Sequence, residues 1–206
     1  MIVILIGKCA SGKDTLLKEL TQNNAMNKIV SYTTRPKRVG EVNGIDYNFV
    51  SEQTFFELMQ KGKFFQTRQY DTLDDTGTAT VWYYGSELVN PESRVPYITI
   101  VDVQGARDYI SAYGKENVFV VYVDASDDVR RRRAEVRGNF IESEWERRLQ
   151  DDNDRFDLNN FRDIIDLTVL NEGDIRDSIF EIVYEYMNYT MSRYRIKNSE
   201  FGGILR

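Results

Sequence analysis

Apolar side chains occupy every position from Ile2 to Ile6. So unbroken a run, mostly β-branched, predicts a strand buried on both faces of a parallel sheet. The pattern returns at 97–103 and 118–123, and more weakly at 167–170. Between these runs the apolar positions take up helical spacing. Leu16, Leu17 and Leu20 share one side of 13–20, and Ile175, Ile179, Ile182, Val183 and Tyr186 share one side of 174–187. A further helix is predicted over 51–61, with Ser51 at the N-cap and Phe55, Leu58 and Met59 on its apolar side. Strands alternating with helices predict a three-layer α/β core around a parallel sheet.

Two regions interrupt the alternation. Residues 31–90 are rich in Thr, Tyr and Gly, with a turn expected at 74–77 and an alternating segment at 78–84, which predicts a small β-rich lobe. Residues 127–155 are dense in charge and helical in pattern, so they read as either an exposed helical hairpin or a mobile lid. The expected organisation is therefore a core of 1–30, 91–126 and 156–190, a lobe of 31–90, a lid of 127–155, and a tail of 191–206, helical at most at its start.

Charge and composition narrow the chemistry. With 27 Lys+Arg against 33 Asp+Glu, the net charge of the 206 residues is −6, which argues against a generally basic nucleic-acid binder. The run Arg130 to Arg133 does not reverse this. Four consecutive helical residues fan around the axis, and Asp127, Asp128 and Glu135 offset them, so Arg130 and Arg131 are expected on a solvated surface. The absence of His excludes imidazole bases and histidine-ligated metals. The lone cysteine, Cys9, allows neither an internal disulfide nor a zinc site and suits a reducing cytoplasm. The run at 1–6 is too short for a membrane span or a signal core, so no membrane partner is expected and residue 1 is taken as the start of the folded domain.

Directly after the first strand stands Gly7-Lys8-Cys9-Ala10-Ser11-Gly12-Lys13-Asp14-Thr15. Strand, glycine loop and helix in this order make backbone N–H groups and the positive helix end converge on an anion. Lys13 is then placed to reach the β- and γ-phosphates of a nucleoside triphosphate. Asp14 departs from the Ser or Thr usual at its position. Either it meets Mg2+, mostly through water and phosphate, or it points away and Thr15 supplies the hydroxyl.

A second constellation lies in the lobe. Ser31-Tyr32-Thr33-Thr34-Arg35-Pro36-Lys37-Arg38 is followed by Val39-Gly40-Glu41-Val42-Asn43-Gly44-Ile45-Asp46-Tyr47-Asn48-Phe49-Val50. Arg35 and Arg38 are two fork-shaped cations suited to a bidentate grip on a phosphate monoester, and Ser31 and Tyr47 add hydroxyl donors. This segment closely resembles the nucleotide-accepting segment of guanylate kinases. The resemblance continues through Tyr83-Tyr84-Gly85-Ser86, Asp102-Val103-Gln104-Gly105, Arg137-Gly138 and Trp145-Glu146-Arg147-Arg148-Leu149, covering roughly 1–190.

What the resemblance implies is a P-loop kinase core with a small acceptor lobe and a helical lid. Its activity would be transfer of the terminal phosphoryl of Mg·ATP to GMP or dGMP. Ser31, Arg35, Arg38, Tyr47 and Tyr84 would hold the acceptor phosphate, Ser86 and Asp102 would lie near the guanine, and Arg133, Arg137 and Arg148 would be lid arginines over the transferring group. The family usually has a glutamate where Gln66 stands, and an amide accepts only one of the two guanine N–H groups that a carboxylate can take. The stretch 67–82 is longer than usual in the family. Its Asp71, Asp74 and Asp75 either substitute for that glutamate or belong to a surface loop. Ile100 replaces an acid often found there, which leaves Asp102 as the carboxylate at that strand end. Two other readings stay open: a kinase for a different nucleoside monophosphate, and an inactive module that binds phosphoproteins.

Overall fold

The computed structural model describes residues 1–22, 25–38, 40–73, 78–136 and 140–201, with side chains except those of 72, 73 and 194–201. In chain order the elements are β1 (Ile2–Ile6), α1 (Lys13–Gln22), β2 (Asn27–Lys28), β3 (Tyr32–Thr33), β4 (Asn48–Phe49), α2 (Glu52–Gln60), β5 (Gln66–Leu73) and β6 (Ala79–Ser86). They continue with β7 (Tyr97–Ile100), α3 (Val103–Tyr113), β8 (Val118–Asp124), α4 (Asp127–Val136), α5 (Glu142–Arg155), β9 (Leu167–Leu170) and α6 (Ile175–Phe201). The chain forms two compact units, one of Met1–Asn27 with Arg94–Arg206 and the other of Lys28–Ser93.

The larger unit carries a five-stranded sheet of order β2-β7-β1-β8-β9. Strand β1 runs parallel to β7 and β8, and β8 parallel to β9. All five residues of β1 are buried, and alternation sends them to two faces. Val3 and Leu5 join Leu16 and Leu20 of α1, Val121 and Val123 of β8, and Ile182 of α6 in one cluster. On the other face Tyr122, the register partner of Ile6, meets Phe161 at 5.6 Å. The central strand thus has β7 on one side and β8 on the other. In open α/β sheets the crevice at the carboxyl ends of such diverging strands is where ligands bind. The backbone N–H of Asn27 donates to Pro96 O at 2.8 Å, so the chain leaves this unit and re-enters it at neighbouring points.

Three expectations are corrected here. The strand expected over 97–103 stops at Ile100, because the Asp102 carboxylate accepts the Gly105 N–H at 2.6 Å and caps α3, a helix that the apolar pattern did not reveal. The tail expected from 191 is helical as far as Phe201, since α6 carries straight on. The stretch 67–82, one reading of which was a surface loop, is mostly a hairpin. β5 and β6 pair antiparallel from Gln66↔Ser86 to Leu73↔Ala79, and Asp71 stands in β5 opposite Val81. The turn expected at 74–77, with Asp74 and Asp75, lies outside the described residues.

The smaller unit is a four-stranded sheet of order β4-β3-β6-β5 covered by α2. Ser51 caps α2, accepting the Thr54 N–H at 3.2 Å. Phe55, fully buried, packs its ring 4.9 Å from Phe64 and 5.8 Å from Tyr83. A Cβ on Gly85 would come within 2.8 Å of the Phe64 ring, so only glycine lets β6 pass beneath it.

Candidate active site

Strand β1 delivers the chain into a loop whose backbone is unusual at three points. Gly7 has φ +150°, Gly12 has φ +99°, and Ala10 has φ +58°, alone among the described non-glycine residues in being positive. A Cβ on Gly7 would lie 2.3 Å from the carbonyl oxygen of Val123. Ser11, wholly buried, gives its carbonyl oxygen to Asn171 Nδ2 at 2.8 Å and to the Arg133 guanidinium at 3.0 Å. Arg133 also donates to Asn171 O at 2.7 Å, and Ser178 Oγ fixes Asn171 Oδ1 at 3.2 Å.

Inside the loop the Lys13 ammonium donates to Gly7 O at 2.7 Å, Lys8 O at 2.7 Å and Ser11 Oγ at 3.3 Å. Burial lowers its pKa, the ordinary sign for an ammonium taken out of water. Neutral carbonyls are weak company for this charge, so phosphate oxygens can displace them with net gain. Asp14 and Thr15 are exposed on the first turn of α1. Their oxygens are the hard donors that suit Mg2+. No cluster of three or more acidic or cysteine residues able to hold a metal occurs among the described residues.

Helices α4 and α5 both reach the loop. Arg148 of α5 donates to Glu144 Oε1 at 2.7 Å and points a guanidinium nitrogen at Cys9 Sγ, 3.7 Å away. Lys8 Nζ donates to Asn153 Oδ1 at 3.0 Å. Arg131 is partly exposed and bound to Glu135 and Glu142 at the surface. Arg130 reverses its expectation, for it is the largest fully buried side chain described. Its Nε donates to Cys9 O at 2.8 Å, its other nitrogens to Asp127 at 2.6 Å and to Asp152, and its plane lies 5.6 Å from the Trp145 ring. Asp152 in turn accepts the Cys9 N–H at 2.8 Å. Arg137 lies outside the described residues. Beside Gly12 and Thr15 opens a cleft of about 550 Å³, lined also by Arg132, Arg133, Asn171 and Ile175. That size is in the range of small-molecule sites.

In the smaller unit the predicted acceptor residues gather around β3 and β6. Ser31 and Ser86 share a hydrogen bond at 3.0 Å, and Ser86 is the register partner of Gln66. Arg35 is 4% exposed and forks onto Glu41 with contacts of 2.6 and 3.0 Å. It also faces the Tyr47 ring at 5.5 Å, and Tyr47 packs edge-on against Tyr84 at 5.9 Å. Burial opposes the charge of both Arg35 and Glu41, but their mutual hydrogen bonds outweigh it, raising the Arg35 pKa and lowering that of Glu41. Arg38 stays exposed, and its backbone N–H donates to Glu41 Oε2 at 2.7 Å. Gln66 Oε1 is buried and has no hydrogen-bond partner, an acceptor open to a donor group. Asp102, at the end of β7 in the larger unit, is engaged as a helix cap.

Sequence reading missed Glu41, Asp152 and Asn171. Glu41 lay within the segment that was read, three residues from Arg38. Asp152 and Asn171 act on the loop from 143 and 160 residues away, and no local spacing announces them.

The family model for guanylate kinase matches residues 1–187. A guanylate kinase of Clostridioides difficile (strain 630) is 32% identical over 151 residues, covering 72% of this chain and 70% of its own. One from Wolbachia pipientis wMel is 31% identical over 187 residues, covering 88% and 87%. The crystal structure of guanylate kinase from Anaplasma phagocytophilum shares the fold, with a TM-score of 0.61 and 24% identity over 88% of this chain and 81% of that one.

Proposed function

The chain belongs to the guanylate kinase family, and on that premise we propose that it transfers the terminal phosphoryl of Mg·ATP to GMP or dGMP, giving ADP and GDP or dGDP. The observation that carries the reading is the loop itself. Gly7, Ala10 and Gly12 turn the backbone through positive φ, and Lys13 lies folded against the loop carbonyls. That is an anion cradle with its counter-charge in place.

On this reading Gly7 to Thr15 hold the donor phosphates and the cleft beside Gly12 takes the donor nucleoside. Ser31, Arg35, Arg38, Tyr47 and Tyr84 hold the acceptor phosphate, while Gln66, Ser86 and Asp102 serve the base. The free Gln66 Oε1 suits one N–H of guanine. An acceptor phosphate oxygen attacks the γ-phosphorus, and the bond to the bridging oxygen of ADP breaks in line. No covalent enzyme intermediate is required, so a chain without histidine suffices. Asp14 or Thr15 would hold Mg2+, mostly through water and phosphate, and the ion would supply neutralisation of the charge that gathers on the donor phosphates. Lys13, Arg133, Arg137 and Arg148 supply fixed positive charge over the equatorial oxygens. The protein works on small-molecule nucleotides in the cytoplasm, with no nucleic-acid or membrane partner.

The test is ADP release from Mg·ATP with GMP, dGMP, AMP, dAMP, CMP, UMP and dTMP as acceptors. Selective turnover of GMP or dGMP is expected, with Lys13→Ala folded but inactive. Preference for another base would keep the mechanism and overturn the acceptor. Folded protein without turnover on any acceptor would leave the phosphoprotein-binding module.

A further inference from the structure

We infer that the buried Arg130–Asp152 pair is a positioning device for the donor loop, holding Ala10 in the left-handed conformation that makes the loop an anion nest. The inference rests on the donor-loop reading above.

Cys9 is gripped on both its polar groups, its N–H by Asp152 and its carbonyl oxygen by Arg130. Two residues on, the Ser11 carbonyl is gripped by Asn171 and Arg133. Ala10 lies between the two clamps, at φ +58°. A residue with a Cβ gives up about 1–2 kcal/mol in that region and persists there only where its surroundings enforce it. Alternation of right- and left-handed residues turns successive N–H groups to one side, which is the geometry of an anion-binding nest. The Cys9 clamp comes from α4 and α5, so the strained loop conformation depends on two helices remote in sequence.

The choice of a charged pair follows from the ligand. An Asp152 carboxylate beside a triphosphate would repel it, and Arg130 cancels that charge while supplying the second grip. Apolar side chains could fill the space and often match the stability of a buried ion pair. They could not hold a peptide N–H and a carbonyl. Clamping and stability are therefore separable.

The experiment compares wild type with Arg130→Met/Asp152→Leu, reading Tm, calorimetric Kd for Mg·ATP and for Mg·ADP, and KM and kcat for both substrates. We expect a Tm near wild type, a Kd for both donor-site nucleotides raised about tenfold or more, and an acceptor KM within about twofold. A folded double variant with wild-type nucleotide Kd overturns the inference. Should it not fold, Asp152→Asn keeps the shape but weakens the grip on the Cys9 N–H. Its Kd is expected to rise severalfold, and an unchanged value is equally decisive against the clamp. Failure of the wild-type protein to bind Mg·ATP overturns the donor-loop reading and this inference with it. Wild-type binding with unaffected variants overturns the inference alone.

Discussion

Replacing Gly7 by Ala tests how tightly the loop is built against the sheet. The added Cβ would lie 2.3 Å from the Val123 carbonyl oxygen, about 0.7 Å inside the 3.0 Å that real Cβ atoms keep, and the obstacle is backbone. It cannot swing aside, because Val123 pairs with Val169 inside the sheet. Overpacking of this kind costs about 1–3 kcal/mol. The φ of +150° adds about 1–2 kcal/mol for a residue with a side chain. Against a total stability of about 5–15 kcal/mol, and at about 2–4 °C per kcal/mol for a chain of this size, Tm should fall by roughly 5–20 °C. Gly173→Ala serves as control in the same unit, since nothing lies within 4 Å of its added Cβ, and its Tm should move by no more than about 2 °C. Thermal melts by circular dichroism decide the matter. If Gly7→Ala melted with the control, the close approach of the loop after β1 to β8 would not be the reason a glycine stands there.

Glu41→Gln leaves one acceptor for the Arg35 fork and sets an amide donor against it, so the acceptor KM should rise about tenfold while the donor KM holds, as for Arg35→Ala. A rise confined to the donor KM would reassign the two units. Glu41 also carries a pH signature. Its folded pKa is depressed, so its contribution to stability is present above the ordinary glutamate value near ~4.3 and is lost as pH falls through the lowered one. Chemical denaturation should find wild type more stable than Glu41→Gln by about 1–3 kcal/mol at pH 7. The gap should close as pH falls below the ordinary glutamate range, and a gap independent of pH would refute the ion-pair account.

The parts legible in the sequence are those encoded locally. The apolar run of β1, the loop after it and the first turn of α1 are contiguous, and each residue's role follows from its neighbours. Ser51 and α2 were readable for the same reason. Arg130 was misread because four successive arginines have no polar or apolar side to distinguish them. Its burial is decided by Asp152, twenty-two residues away in α5. Helix α3 escaped notice because its start is set by the Asp102 cap and its apolar face is short. The reach of α6 past 190 escaped because its later turns carry little apolar periodicity. For the acceptor base, a glutamine at 66 was readable as a departure, but the burial of its oxygen without a partner belongs to the folded lobe alone.

The hydrogen bond between Asn27 and Pro96 has an evolutionary corollary. Because the chain exits and returns at one spot, Lys28–Ser93 is spliced into the core as a cassette. Drift, lengthening or wholesale exchange within it leaves the strand order β7-β1-β8 and the anion cradle untouched. On the division of labour proposed above, acceptor recognition can diversify at the pace of a surface insertion while the donor machinery is inherited intact. The pairing of β5 with β6, from Gln66↔Ser86 to Leu73↔Ala79, lies wholly within that cassette.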